Sequence, residues 1–474
     1  MRLNAQVIGD YVSGQLKSAP GNPDLEACGL TWDSREVAPG DVYVALPGNR
    51  VDGHNFVPQA LAAGAAVVLV SSELDESVYE LASAKGAYVY QVADTYQAVT
   101  GLAAHWRSHL KGTVIALTGS VGKTTTKNLV RDILSTTFAT VATHANQNNE
   151  LGVPKTLLQA DADTQMVVVE MGMRGSGQLA SLCEFVKPDI ALVTNCGECH
   201  IELLGSREAI ARAKAEAVAA LPEGGKAVLN LADERFDLVC EAAQVKEKNI
   251  EVLDFDGTGA SKDAYAWASD VSLDDTGRPH FVLHLPDGAH KASMELRGAH
   301  NVSNACAAAA LAFSVGVSSN AIVSALKTSL PELGRQEILP GRGGITVVND
   351  AYNANPDSMK ASLSMFCAMD VPGRRVAVLG DMGELGSFAE ACHRSVGTFI
   401  APLPVNKLVC IGELSHLIAS AAVEQGYPES DTACFATREE ALSYLESFLE
   451  PGDAVLCKAS HSMELDKIAK ELTA

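Results

Sequence analysis

The stretch of residues 114–127, VIALTGSVGKTTTK, constrains the fold and chemistry of this chain more than any other. Val114 to Leu117 is apolar and predicts a buried parallel strand, while the apolar spacing after Lys123 predicts a helix. Two glycines between them allow backbone N–H groups to point inward, the helix dipole favours negative charge, and Lys123 adds a positive charge. Thr124 provides the hydroxyl that such loops give to Mg²⁺. The stretch therefore predicts a nucleotide phosphate site.

The glycine loop is shorter than the long phosphate-binding pattern, which has a further glycine six positions before the lysine. Leu117 occupies that position, so the pattern present is Gly119-x-x-Gly122-Lys123-Thr124. An ordinary strand-to-helix turn is the alternative for so short a pattern. The apolar strand before the loop and the helical pattern after it favour phosphate binding.

Composition excludes several classes of function. The formal net charge of −22 argues against nucleic acid as a partner, because phosphate backbones require basic surfaces. The N-terminus has no signal-peptide pattern and no apolar run is long enough to cross a membrane, so we expect a soluble, cytoplasmic protein without membrane contact. The eleven cysteines, an odd number among mostly apolar neighbours, predict reduced thiols rather than a disulfide framework.

The 474 residues correspond to about three domains. We predict an α/β fold with domains at residues 1–108, 109–330 and 331–474, and a hinge between Pro331 and Gly334. Alternating apolar strands and helices predict mainly parallel sheets covered on both faces. The alternating segment 251–297 predicts an antiparallel excursion. The predicted strands of the second and third domains are residues 114–117, 166–169, 190–193, 227–229, 345–348, 376–379, 408–411 and 454–456.

Polar residues follow three strands of the central domain, where ligands of parallel sheets bind. Besides the glycine loop, these are Glu170 and the segment 195–200. An unpaired buried carboxylate would be costly, and Mg²⁺ bridging nucleotide oxygens would compensate Glu170. A helix cap or a structural ion pair is the alternative. The convergence of these three elements predicts one site.

Cys196-x-x-Cys199-His200 spells a haem-attachment pattern, but such chains are exported and this one has no signal. Zinc or redox chemistry would need further ligands or context that the sequence lacks. His200 alone, as a metal ligand or an acid–base group, is the remaining functional interpretation, against a merely packed or exposed histidine. Lys214 lies on a predicted helix, and composition by itself predicts that its side chain is solvated.

Two polar loops in the third domain, residues 349–358 and 380–386, also follow strands and are expected to bind ligands. A further glycine-bearing loop at residues 48–56 is either a surface turn or part of a site.

Taken together, the motifs of this chain resemble those of the Mur ligases, ATP-dependent amide ligases of peptidoglycan precursor synthesis. The matching motifs span all three predicted domains: Asp33-Ser-Arg35, Asp52-Gly-His-x-Phe56, Thr118 to Lys127, Asn148-Asn-Glu-Leu-Gly-Val-Pro154, Glu170-Met-Gly-Met173, His200-Ile-Glu-x-x-Gly-Ser206, Ala213-Lys214, His300-Asn301-x-x-Asn304, Gly334-Arg335, Asp350 to Met359 and Gly380 to Gly386.

The resemblance implies a UDP-sugar-binding domain, a central ATP-binding domain and a Rossmann-like third domain. It also implies an ADP-forming ligase that joins D-alanyl-D-alanine to UDP-N-acetylmuramoyl-tripeptide through an acyl phosphate, acting as a monomer. Within the family, Tyr352-Asn-Ala-Asn-Pro356 favours this dipeptide-adding member. The alternatives are another Mur-type ligase, such as the one that adds the third stem residue, and a folylpolyglutamate-synthase-like enzyme. The sequence departs from the family pattern at Asn349 and at Cys199. It departs also at His461, a position where an arginine is usual.

The resemblance assigns roles residue by residue. Residues that would hold ATP are Thr118, Gly119, Ser120, Val121, Gly122, Lys123, Thr124, Asn301, Arg335 and Asp350. Residues that would bind the two substrates are Ser34, Arg35, Asp52, His54, Asn148, Asn149, Tyr352, Asn353 and Asn355. Ligands of two Mg²⁺ ions would be Thr124, Glu170, His200 and Lys214, the lysine as a CO₂-derived carbamate. The catalytic set would be Lys123, Glu170, His200, Lys214, Arg335 and Asp350.

Overall fold

The computed structural model describes residues 1–19, 22–48 and 51–473. It is an α/β protein, as predicted, and its strands form four sheets. Each sheet draws its strands from one of the three predicted domains, although the boundaries at 108 and 330 stay predictions. Within the described residues, no helix has both the length and the apolarity needed to cross a membrane.

The first sheet has five strands in the order β2-β7-β6-β5-β4, parallel except for the β2–β7 pair. A two-stranded antiparallel ladder, β1–β3, lies beside it. The strands are Leu3–Asn4 (β1), Gln15–Ser18 (β2), Glu26–Ala27 (β3), Gly29–Thr31 (β4), Asp41–Val44 (β5), Val67–Val70 (β6) and Tyr88–Gln91 (β7). The helices are Ala5–Tyr11 (α1), Val57–Ala63 (α2), Glu76–Lys85 (α3) and Thr95–Arg107 (α4).

The loop predicted at residues 48–56 lies partly outside the described residues. Its remainder forms a 3₁₀ turn at Gly53–Phe56 that leads directly into α2.

The central sheet has nine strands in the order β16-β15-β14-β13-β12-β11-β8-β10-β9. Its strands are Thr113–Thr118 (β8), Thr140–Ala142 (β9), Met166–Glu170 (β10), Ile190–Val193 (β11), Lys226–Asn230 (β12), Glu251–Asp256 (β13), Ala266–Leu273 (β14), Pro279–Leu285 (β15) and Gly288–Ser293 (β16). Its helices are Lys123–Leu134 (α5), Gly152–Gln159 (α6), Gln178–Val186 (α7), Ile201–Leu204 (α8), Arg207–Ala219 (α9), Phe236–Ala242 (α10), His300–Ser314 (α11) and Ser319–Thr328 (α12).

The prediction of an antiparallel excursion over 251–297 is wrong in its first part. Strand β13 pairs parallel with both β12 and β14, and the antiparallel pairing begins only between β14 and β15. The physical reason is that β13 is covered unequally on its two faces: Leu253 and Phe255 are buried, whereas Val252 and Asp254 are half-buried. Its residues then alternate in burial as those of an antiparallel strand do.

The third sheet has the order β17-β18-β22-β19-β20-β21, parallel except for β17–β18. Its strands are Glu337–Pro340 (β17), Thr346–Asn349 (β18), Arg375–Gly380 (β19), Lys407–Ile411 (β20), Thr432–Phe435 (β21) and Ala454–Lys458 (β22). Its helices are Pro356–Ala368 (α13), Ala389–Ile400 (α14), His416–Glu424 (α15), Arg438–Phe448 (α16) and Asp466–Thr473 (α17).

The buried strands form the core of each sheet. In β8, β10 and β11 every residue after the first position of β8 is buried, because helices cover both faces. Alanines of α11, buried from Ala305 to Ala312, let this helix lie close against the sheet and against α5. All strands predicted for the central and third domains are present, with ends within two residues of the predicted ones. The carboxyl ends of β8, β10 and β11 consequently meet at one edge.

Candidate active site

A cleft of about 1460 Å³ opens at this edge, and residues from all three predicted domains line it. The first domain contributes Trp32. Fifteen of the residues predicted for the site line the cleft: Ser120, Val121, Gly122, Lys123, Thr124, Asn148, Asn149, Glu170, His200, Asn301, Arg335, Asp350, Tyr352, Asn353 and Asn355. Residues more than 200 positions apart in the sequence therefore face one another across a single space.

The glycine loop between β8 and α5 has the conformation that its glycines require. Gly122, the residue that caps α5, is left-handed at φ +80, and a Cβ there would lie 2.5 Å from Asn304 Oδ1. A Cβ on Gly119 would collide with Thr194 Oγ1. Thr118 and Gly119 lie beneath the loop and not in the lining of the cleft. Neither glycine position can accept a side chain without displacing the loop.

Asn195, at the end of β11, braces this loop from the side. Its Oδ1 accepts from Val121 N at 3.0 Å, its carbonyl accepts from Ser120 N at 3.0 Å, and its Nδ2 donates to Val121 O at 3.0 Å. The backbone N–H groups of residues 122–125 have no acceptor among the described residues. Free N–H groups at a helix N-terminus, on a braced loop, form an anion site.

Lys123 folds back over the loop that it follows. Its Nζ donates to Gly119 O at 2.8 Å and to Ser120 O at 3.3 Å. The ammonium therefore lies above the free N–H groups, where it adds a full positive charge to the anion site.

Glu170 is the last residue of β10 and is completely buried. Its Oε1 accepts from Asn148 Nδ2 at 2.7 Å and from Thr124 Oγ1 at 3.2 Å. Its Oε2 has no hydrogen-bond partner among the described residues. A buried carboxylate oxygen without a partner is costly, and it adjoins the threonine hydroxyl and the phosphate site. The residues therefore fit Mg²⁺, which binds one or two protein oxygens and completes its shell with phosphate and water.

Asn148 and Asn149, predicted to bind the muramoyl substrate, make local contacts. Asn148 supports Glu170, and Asn149 Oδ1 accepts from Gly152 N at 3.0 Å, at the start of α6. Both line the cleft as well, so the substrate role stays a prediction.

His200 is the residue immediately before the short helix α8, and its backbone is left-handed at φ +59. Its Nδ1 lies 2.6 Å from Glu384 Oε2, a carboxylate of the third domain. The same carboxylate lies 3.4 Å from the guanidinium of Arg174. Glu384 thus joins the third domain to two basic side chains of the central domain inside the cleft.

Lys214 is buried on α9, contrary to the solvated lysine that composition alone suggested. Burial, and the nearby charge of Lys123, lower the pKa of its ammonium from 10.5 to about 8. No hydrogen bond or ion pair holds its Nζ within the part of the chain that the structure describes. Lys214 is not in the lining of the cleft, but the positive charge of Lys123 lowers its pKa, and its own charge lowers the pKa of the Cys199 thiol.

Cys199, one of the departures from the family pattern, is buried beside His200. Burial alone would raise the pKa of its thiol. A hydrogen bond with His200 and the positive charges of Lys123 and Lys214 outweigh burial and lower the pKa to about 7.

Arg335 reaches the phosphate site from the start of the third domain. Its Nη2 donates to Thr124 Oγ1 at 3.1 Å, and its guanidinium stacks 4.2 Å from the ring centre of Tyr352. Asp350 lines the cleft, but its carboxylate is engaged by Lys458 Nζ at 2.8 Å and by Ser362 Oγ at 2.7 Å. Arg335 is therefore placed to meet a phosphate, whereas Asp350 mainly organises its own domain.

Asn301 is buried at the start of α11. Its Nδ2 donates to Arg297 O at 2.6 Å, and its Oδ1 accepts from Asn304 Nδ2 at 2.8 Å. Asn304 in turn accepts from Thr126 Oγ1 at 3.1 Å, which links α11 to the helix of the phosphate loop.

Four predicted residues of the first domain lie outside the lining of the cleft: Ser34, Arg35, Asp52 and His54. Arg35 is paired with Asp33 at 2.6 Å. His54 is buried between Asp52 Oδ1, 2.6 Å from its Nδ1, and Ser71 N, which donates to its Nε2 at 2.9 Å. Any substrate that reaches both regions has to extend from the cleft past Trp32.

Three contributors to the site were not assigned from the sequence: Asn195, Glu384 and Lys458. Asn195 and Glu384 lie in the polar segments 195–200 and 380–386 that the sequence does mark, whereas Lys458 is the last residue of β22. The described residues contain no group of three or more His, Cys, Asp or Glu side chains that could hold a metal ion by themselves.

Three family models match the chain: the Mur ligase family catalytic domain over residues 26–107, the Mur ligase middle domain over 117–312 and the Mur ligase glutamate ligase domain over 334–461. A Mycobacterium tuberculosis UDP-N-acetylmuramoyl-tripeptide–D-alanyl-D-alanine ligase is 36% identical, over 94% of this chain and 92% of the relative. The Escherichia coli enzyme of the same name is 35% identical, over 98% and 96%.

The solved structures that resemble the chain include MurF from Acinetobacter baumannii. Its TM-score is 0.84 at 31% identity, covering 100% of this chain and 99% of that one. MurF from Thermotoga maritima in complex with ADP has the same fold, with a TM-score of 0.75 at 24% identity over 94% and 97% of the two chains. The matched models cover most of the chain and the relatives match it nearly end to end, so this protein belongs to the Mur ligase family.

Proposed function

We propose that this protein is an ATP-dependent, ADP-forming ligase that joins D-alanyl-D-alanine to UDP-N-acetylmuramoyl-tripeptide. The observation that carries the proposal is the nearly end-to-end match, at 35–36% identity, to enzymes that bear this name. The cleft supports it, because an anion site, a buried carboxylate and basic groups from two domains meet there. No observation favours the folylpolyglutamate-synthase alternative, whose solved structures share the fold at 17% identity.

A carboxylate does not react with an amine at neutral pH, so the tripeptide carboxylate first has to be activated. It attacks the γ-phosphorus of ATP, the bond to the β-phosphate oxygen breaks, and an acyl phosphate and ADP result. The amine of D-alanyl-D-alanine then attacks the acyl carbon, phosphate leaves, and the amine loses a proton as the amide forms.

The residues of this chain act on the first step mainly by fixed charges. The free N–H groups of residues 122–125 and the ammonium of Lys123 receive the phosphates. Arg335, held by Tyr352 and Thr124, adds positive charge from the third domain. Mg²⁺ held by Thr124 and Glu170 would neutralise charge on the phosphoryl oxygens. Because the third domain supplies part of the site, its docking also excludes water from the acyl phosphate.

Lys214 fits the carbamate role that the family resemblance implies. A neutral lysine amine attacks CO₂, forms a C–N bond and releases one proton, which converts a cation into an anion. Its lowered pKa increases the neutral fraction, and its Nζ has no competing partner among the described residues. The product would place a carboxylate-like group near the half-buried ammonium of Lys123, which is otherwise held by carbonyl oxygens.

We infer a cytoplasmic location, because the proposed reaction consumes ATP and a nucleotide-linked sugar.

The test is ADP release by the purified protein with UDP-N-acetylmuramoyl-tripeptides that carry either meso-diaminopimelate or lysine. Each is combined with D-alanyl-D-alanine, with the third stem amino acid or with glutamate as amine. We expect rapid ADP release only with a tripeptide and D-alanyl-D-alanine together, and a product with the mass of the pentapeptide. Omitting either substrate is the matched control. ADP release that is the same without the amine, or that requires another amine, would refute the proposal.

A further inference from the structure

Cys410 and Cys434 lie opposite each other on two adjacent strands, and neither residue lines the cleft. Strand β20 pairs parallel with β21, and the register places Cys410 directly beside Cys434. Neighbouring strands are about 4.8 Å apart, which lies within the Cα separation that a disulfide spans. Residues paired in register point to the same face of a sheet, so the two thiols share one face.

The two thiols differ in access. Cys410 is completely buried in the apolar core. Cys434 is exposed on β21, the last strand of its sheet, and within the described residues Cys28 is the other exposed cysteine. A small oxidant can therefore reach Cys434 first, whereas Cys410, in the neighbouring strand, is protected from solvent.

The surroundings of Cys434 favour its thiolate. A hydrogen bond with the Cys410 thiol lowers the pKa of Cys434 to about 6, against burial, and the nearby His416 contributes in the same direction. The same hydrogen bond raises the pKa of Cys410. An exposed thiolate next to a second thiol is the arrangement of peroxide-sensitive cysteine pairs.

We propose that Cys410 and Cys434 form a modification site at which a hydroperoxide converts the two thiols into a reversible disulfide. The Cys434 thiolate attacks one peroxide oxygen, and the S–O bond forms as the O–O bond breaks, which gives a sulfenic acid. The alkoxide that leaves, or hydroxide in the case of hydrogen peroxide, takes a proton from solvent. Cys410 then attacks that sulfur, the S–S bond forms, the S–O bond breaks, and the leaving hydroxide takes the Cys410 proton as water. The pair loses two electrons and the peroxide gains them. This site is independent of the proposed ligase function.

The experiment uses the reduced full-length protein and hydrogen peroxide. After brief exposure the intact mass is measured, and free thiols are then alkylated before the cysteine peptides are analysed. We expect the chain to lose the mass of two hydrogen atoms, with Cys410 and Cys434 linked in one peptide and both released by dithiothreitol.

Variants make the test specific. Cys434→Ser, at an exposed site, should abolish the mass loss, and Cys28→Ser, the matched exposed control, should leave it unchanged. In Cys410→Ala, Cys434 should stop at a sulfenic acid that dimedone traps. The proposal is overturned if Cys434 of the unmodified chain is oxidised to sulfinic acid without linkage to Cys410, or if the mass loss persists in Cys434→Ser.

Discussion

Replacing Glu170 by glutamine separates the two roles that the structure gives this side chain. Glutamine keeps an oxygen for the hydrogen bonds from Asn148 and Thr124 and removes the negative charge. In the ligand-free protein the replaced oxygen, Oε2, is buried without a partner, at a cost of about 1–3 kcal/mol. The amide nitrogen is also left without a partner, so we expect the variant to be as stable as the parent protein or about 1 kcal/mol more stable.

Binding of magnesium and nucleotide should respond in the opposite direction. At a nucleotide concentration about 100 times its Kd, binding to the native state adds about 2.7 kcal/mol of stability. For a folding unit the size of the central domain this raises Tm by roughly 5–10 °C. If Glu170 holds Mg²⁺, the glutamine variant should lose most of this increase, and its kcat should fall by about 10²-fold to 10³-fold.

The assay is a thermal unfolding scan with ADP, with and without Mg²⁺, combined with ADP release under turnover conditions. Glu241→Gln, on the exposed face of α10, is the matched control and should behave as the parent protein does. A Mg²⁺-dependent rise in Tm that is the same in Glu170→Gln and in the parent would refute the metal assignment. If the variant without ligand is destabilised by several kcal/mol, the inference that Glu170 Oε2 has no hydrogen-bond partner in the ligand-free protein is refuted.

Three further predictions concern other groups at the site. Lys123→Ala should lower kcat for ADP release by about 10²-fold or more, and near-normal turnover would contradict the phosphate assignment. In CO₂-free buffer Lys214→Met should stabilise the protein by about 3 kcal/mol below pH 8, because the native lysine has a pKa lowered from 10.5 to about 8. That gain in stability should disappear in urea titrations between pH 8 and pH 10.5, because there the unfolded parent protein binds a proton that the native one does not. Lys246→Met is the exposed control. A gain that does not depend on pH would contradict burial as the cause. Glu384→Gln should raise the Mg²⁺ concentration for half-maximal activity by about 10-fold while kcat at saturating Mg²⁺ stays within a few-fold of normal, unlike Glu390→Gln, which should change neither.

Local patterns were sufficient for the eight strands predicted in the central and third domains and for the phosphate loop. The apolar run before Gly119 and the helical spacing after Lys123 appear in the structure as β8 and α5. These features depend on residues within a few positions of each other, so the chain's own periodicity reveals them. The error at β13 has the same origin, because alternation reports one-sided burial and not the direction of the neighbouring strand.

The resemblance to a family, carried by motifs in all three predicted domains, supplied what periodicity could not: the activity and the roles of single residues. The comparisons confirm the family, whereas the roles of the individual site residues stay predictions that the experiments above address.

The sequence alone determined the α/β class, the phosphate loop and the polar strand ends. Only the tertiary structure decided which side chains meet: Glu384 beside His200, Asn195 beside the glycine loop, and Lys214 buried rather than solvated. Helix α9 consists largely of alanines on every side, so its pattern does not reveal which face is covered. Contacts between residues hundreds of positions apart depend on how sheets and helices pack, and packing leaves no periodic signal in the chain.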